Sequence, residues 1–243
     1  MLLVWLELKA AARRRLRNPL SPLFEGAVAG GLLLLIERVL PPGEEVRTAA
    51  QVMFIASLLA LPALQGLHRL ISEEGASGTL ETLLQVPGGP IKAFLARDVA
   101  SMLSIALAMP SLFAVLHYFS QVSPGSFVRY ALPVLAMRAG LIGIGISLGS
   151  FTLLVRRTGA VVNAMSMIMV VTSLGAGYGR GYLASLAGLS PQGRLAMGIY
   201  SGRDPFGMLP GISILSAVWL AAGFALYNLA VRRARKFGLL INF

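Results

Sequence analysis

The chain contains no cysteine, only 2 histidines, and 10 acidic residues in 243. Without cysteine there are no disulfides, no thiolate metal sites and no cysteine nucleophile, and the redox compartment stays undecided. His68 and His117 fall at the ends of different apolar segments expected on opposite faces of a membrane, so they make a poor metal pair and read as structural. Neither paired aspartates nor a serine with a partner base lies within an apolar segment. Asp98 and Asp204 stand singly at segment margins, which argues against an intramembrane enzyme. No GxxxxGK[ST] run occurs, so the chain has no Walker A loop to cradle a nucleotide phosphate.

What is abundant is apolar surface. The composition is 56% hydrophobic and 13% charged, with a mean hydropathy of +0.75, more than a single soluble core of this size would bury. The apolar blocks are long and lack the alternation of barrel strands. Since backbone groups in lipid must satisfy one another, such blocks imply membrane helices and an all-α membrane protein. The formal charge of +11 does not point to nucleic acid, because the basic residues border apolar blocks instead of interleaving with aromatics. Leu2 to Leu6 precede Arg13, Arg14, Arg15 and Arg17, the reverse of a secretory signal, so the start is expected to be retained.

Apolar runs closed by charge, proline or glycine predict six spans, at 22–40, 49–71, 98–119, 127–155, 159–176 and 208–231. With a cytoplasmic N-terminus, one side receives Lys9, Arg13, Arg14, Arg15, Arg17, Arg69, Lys92, Arg97, Arg156, Arg157, Arg232, Arg233, Arg235 and Lys236. The other receives Arg38, Arg47, Arg129, Arg180, Arg194 and Arg203, a split of 14 to 6. The positive-inside rule then places both termini in the cytoplasm, as an even span count requires. The expected location is the cytoplasmic (inner) membrane, in a multi-pass arrangement.

Before the first span, Leu2, Trp5, Leu8, Ala12 and Leu16 recur at helical spacing with Glu7, Arg14 and Arg17 off their face. This predicts an interfacial helix over 1–20, with Lys9 snorkelling; a plain basic flank is the alternative. The segment 177–207 is half apolar but broken by glycine, proline and arginine, which predicts short outer helices that do not span. The whole reads as one transmembrane domain.

The inner loop at 72–91 is the informative connection. Ser77 or Thr79 can cap a short helix with Glu81 in its first turn and Leu80, Leu83, Leu84 and Val86 along it, stopped by Pro87, Gly88 and Gly89. Acids are unusual on a side rich in arginine. Glu73, Glu74 and Glu81 are therefore expected to face a protein partner more than anionic lipid. Within the spans, Arg138 is the deepest charge, with Glu25 a candidate partner and snorkelling the alternative. Gly26 and Gly30 form one GxxxG pair, and Gly145 and Gly149 another, marking dimer or helix packing. Pro62, Pro110 and Pro133 are candidate bend points.

Glu74, Gly78, Thr79, Leu80, Glu81, Leu83, Leu84 and Pro87 match a run, E-x-E-x-G-T-L-E-x-L-L-x-x-P, found between the second and third spans of type-2 ABC exporter membrane subunits. Ala76 stands where that run often has its second acid. On these residues, together with the six-span layout and basic tail, the chain resembles that family. The resemblance implies a permease subunit whose helix at about Glu73 to Val86 docks on a separate ABC ATPase, with ATP and magnesium held by that partner and no cofactor in this chain. It also implies a second permease subunit, homo- or heterodimeric, and an amphipathic or lipid-like cargo. Asn18, Pro19 and Leu20 resemble an N-P-L of the haem-export subunits of cytochrome biogenesis, an alternative within the family. Outside it, an ion-gradient-driven transporter would have only Glu25, Ser104, Asn163 and Ser166 as mid-membrane ligands, and a non-transporting scaffold is the third reading.

Overall fold

The computed structural model describes residues 44–86, 88–120, 128–155, 159–175 and 188–236, with isolated helical positions at 9, 27, 28 and 31. The expected interfacial helix at 1–20 and first span at 22–40 lie otherwise outside the described residues, as do Glu25, Gly26 and Gly30. So does the first part of the outer segment, 177–187.

Among the described residues there are seven helices and no strand: α1 (Glu44–Ala76), α2 (Leu80–Gln85), α3 (Gly89–Ser120), α4 (Ala131–Thr152), α5 (Gly159–Gly175), α6 (Pro191–Tyr200) and α7 (Pro205–Lys236). Stretches within four of them are long and apolar enough to cross a membrane: Gln51–Ala76, Gly89–Val115, Ala131–Thr152 and Pro205–Ala234. The fifth expected span coincides with α5, which has 17 residues and falls short of that length. The chain is thus a multi-pass helical membrane protein with four such helices among the described residues, against six expected spans.

Residue contacts give the helix directions. Gly145 lies against Ala63 and Gly149 against Leu67, so α1 and α4 run parallel. Gly140 lies against Ser216, and Gly143 against Trp219 and Leu220, so α7 runs parallel to α4. Helix α3 opposes them: Phe94 meets Gly66, whereas Leu112, farther along α3, packs on Phe54 and Ile55, earlier in α1. With α3 opposed to α1 and α4, and α7 parallel to α4, the chain must return between α4 and α7, over the stretch that contains α5.

Helices α1 and α4 form the centre. In the apolar windows of both, 67% of residues are buried, against 17% for α3 and α7. The flanking helices turn Leu103, Leu107, Ile214, Val218 and Leu229 outward, each more than half exposed. In water this would be a large unfavourable apolar surface; in a bilayer, acyl chains cover it. Close approach in the centre depends on α4 lacking side chains on two faces. A Cβ on Gly145 would meet the Ala63 carbonyl oxygen, and one on Gly143 the Trp219 carbonyl. The Gly145–Gly149 motif therefore packs α4 on α1 within one subunit, while Gly140, Gly143 and Gly223 make the second seam, against α7.

Three expectations about helix limits change. Helix α1 continues through Ala76 and α3 begins at Gly89, nine residues before the expected span. At 33 and 32 residues, each is about 50 Å long, well beyond a hydrocarbon core of about 30 Å. The short inner helix occupies only Leu80–Gln85, not Glu73 to Val86, because the backbone turns at Gly78 (φ +73°) and again at Gly88 (φ +67°). Pro133 lies in the first turn of α4, where a missing N–H interrupts no helical bond, so it bends nothing. Pro62 and Pro110 lie inside α1 and α3, and Pro210 inside α7.

Candidate functional site

The corner joining α1, α2 and α3 is built by hydrogen bonds at the end of α1. The amides of Ser77 and Thr79 donate to the carbonyls of Glu73 and Glu74, both at 3.0 Å, which closes the helix on the left-handed Gly78. Ser77 Oγ donates to the Glu74 carbonyl (3.1 Å), and Thr79 Oγ1 donates to the Glu74 carboxylate. Neither hydroxyl caps α2: Thr79 occupies the N-cap in a helical conformation, with no side-chain bond to the amides ahead of it. The expected capping interaction is replaced by one that ties the turn back to α1.

Leu80 and Leu84 are 3% and 4% exposed, packed in a cluster with Leu70, Ile71, Ile91, Phe94 and Leu153. This single turn and a half of helix would not hold its shape alone; burying two leucines, at roughly 1.5–3 kcal/mol each, holds it against the bundle. Leu83 is partly buried at the cluster's edge. The opposite face presents Glu81, Thr82 and Gln85 to solvent.

The three acids of this region therefore divide. Glu73 and Glu74 both reach Arg97 on α3, at 2.7 and 3.0 Å, and tie α1 to α3, Glu73 staying exposed as it does so. Glu81 is exposed. Being largely solvated, the Arg97 contacts are worth about 0.2–1 kcal/mol each, but sharing one guanidinium fixes the direction in which α3 leaves the corner.

One residue on, Asp98 pairs in a different direction. Its Oδ1 accepts from Arg138 Nη2 at 2.5 Å, the two side chains being 4% and 3% exposed. Arg138 Nη1 also donates to the Leu59 carbonyl, so one guanidinium links α4, α3 and α1. Asp98 is thus neither marginal nor unpaired. Helix α3 starts nine residues earlier than expected, which carries Asp98 about 2.5 turns inside it. A signal was available: adjacent opposite charges such as Arg97 and Asp98 on a helix point about 100° apart and seek different neighbours. Glu25, the candidate partner for Arg138, lies outside the described residues.

Other polar side chains staple the bundle. Buried His68 bonds through Nδ1 to Thr152 Oγ1 (2.9 Å), joining α1 and α4. Gln192, fully buried on α6, a short helix within the segment 177–207 where short helices were expected, donates to Ser57 Oγ (3.1 Å) on α1; nothing in the sequence pointed to this contact. His117 lies exposed in the last turn of α3, far from His68. No group of three His, Asp or Glu suited to a metal ion occurs among the described residues. Ser104 and Ser166 donate back to Ala100 and Val162 of their own helices, at 3.1 and 2.8 Å, and Asn163 is exposed.

Compared with known proteins, the chain matches no family model, no curated protein and no solved structure.

Proposed function

We propose that this chain is the permease subunit of an ATP-driven ABC exporter in the cytoplasmic membrane, with both termini in the cytoplasm, working with a second permease subunit and separate ATPase subunits. The observation that carries the reading is α2. It is a short helix clipped by Leu80 and Leu84 between α1 and α3, each about 50 Å long, with Glu81, Thr82 and Gln85 free to meet a partner. A motor that grips such a helix can act on both long helices at once, since Arg97 ties them together with Glu73 and Glu74. ATP and magnesium belong to the partner; the cargo is amphipathic or lipid-like, haem-export chemistry being the alternative. The basic side chains support the orientation. Arg69, Lys92, Arg97, Arg232, Arg233 and Lys236 belong to the bundle end that carries α2, and Arg129, Arg194 and Arg203 to the other.

The test is co-purification from native membranes. The wild-type chain should bring down a P-loop ATPase and stimulate its hydrolysis, whereas Glu81→Lys with Gln85→Lys should lose the partner while the subunit stays monodisperse. Transport by the purified chain alone, driven by an ion gradient, would overturn the proposal. The Arg138–Asp98 pair, buried among spanning helices, is the observation that favours that second reading.

A further inference from the structure

Between α1 and α3, with Met167 of α5 at its rim, lies a cleft of about 820 Å³, within the range of sites that hold small molecules. Its walls change character along their length. At the corner end they carry Gln65, Arg69, Glu73 and Arg97, followed along α3 by Asp98, which is paired with Arg138, and by Ser101 and Ser104; farther in the lining is mainly Leu58, Leu61, Ile105, Ala108, Met109 and Leu112.

Depth and charge together identify an occupant. From Arg69 to Leu58 is 11 residues of α1, a rise of about 16 Å. Half of a 30 Å hydrocarbon core is about 15 Å, so the cleft is one leaflet deep, polar where the leaflet surface would lie and apolar toward the midplane. The cations at its mouth are not equivalent. Arg97 is held by Glu73 and Glu74. Arg69 is exposed, donates to the neutral Gln65 amide (2.5 Å), and pairs with no carboxylate among the described residues. An arginine in that position, above an apolar slot, matches a phosphate carried on hydrocarbon chains.

We propose that the cleft binds one glycerophospholipid of the leaflet on the corner's side, its phosphate on Arg69 and an acyl chain along Leu58, Ile105 and Met109. Bound there, the lipid wedges between the two helices that flank α2. The proposal needs only that the bundle sits in a membrane, not that it is an exporter, and it is tested on the chain without an ATPase, so either reading can fail alone.

The experiment is native mass spectrometry of the full chain released from mild detergent and titrated with phosphatidylglycerol, phosphatidylethanolamine, diacylglycerol or inorganic phosphate. Each phospholipid should add one saturable equivalent. Diacylglycerol, without the phosphate, and inorganic phosphate, without the chains, should bind at least about tenfold more weakly, the scale of one charge-assisted contact. Arg69→Gln should weaken both phospholipids about tenfold, Arg203→Gln at the opposite end should change nothing, and Ala108→Phe should block the slot. Should Ala108→Phe fail to fold, Ser104→Leu serves as the second plug. Equal retention of diacylglycerol, unsaturable uptake of many lipids, or unchanged binding in both Arg69→Gln and a folded plug variant would overturn the assignment.

Discussion

Replacing Asp98 by leucine should leave Arg138 charged among buried side chains, and replacing Arg138 by methionine should do the converse to Asp98. Both side chains are under 5% exposed, and removing one member of such a pair costs about 3–5 kcal/mol, whereas apolar replacement of both is often close to neutral. With singles near 3 kcal/mol each and the double variant within about 1 kcal/mol of wild type, the coupling energy is about 5 kcal/mol. That value discriminates, because hydrogen bonds between membrane helices couple by about 0.6 kcal/mol on average and about 1.7 at most. The assay is reversible unfolding in mixed micelles with rising dodecyl sulfate, followed by far-ultraviolet circular dichroism of all four proteins of the cycle. Coupling below about 1.7 kcal/mol would mean that the contact behaves as an ordinary neutral hydrogen bond, and singles that add within about 0.5 kcal/mol would mean that it joins nothing. Either result refutes a charged link between α3 and α4.

Gly145→Leu should separate α4 from α1, costing about 1–3 kcal/mol or more through overpacking and giving aggregated material on size exclusion, while Gly207→Ala, with open space around it, should behave as wild type. Leu80→Ala with Leu84→Ala should release α2, seen as faster limited proteolysis at 77–88 with the remaining helical signal unchanged. Gly78→Val should strain the left-handed turn at φ +73° by about 1–2 kcal/mol and loosen the same segment, whereas Gly78→Asn should be tolerated better. Arg97→Gln should lower stability by about 1 kcal/mol or less, an effect that shrinks as salt rises.

How much of this was legible in the sequence differs from element to element. The apolar blocks announced α1, α3, α4 and α7 because lipid demands helices about 20 residues long, and the Gly145–Gly149 spacing announced a close helix seam. The corner was legible as a place but not as an arrangement. Glu73, Glu74 and Glu81 look alike in the chain, yet two of them bend to Arg97 and one does not.

By itself the sequence determined that the chain is helical and that it needs a bilayer, because hydropathy acts locally; that α1 runs on to Ala76 and α3 starts at Gly89 was settled only by the fold. Which groups meet was decided only by tertiary packing. Arg138 finds Asp98, His68 finds Thr152 and Gln192 finds Ser57 across 40, 84 and 135 residues of chain respectively. A buried charge or amide takes whatever partner the fold brings within about 3 Å, and no spacing along the chain encodes that.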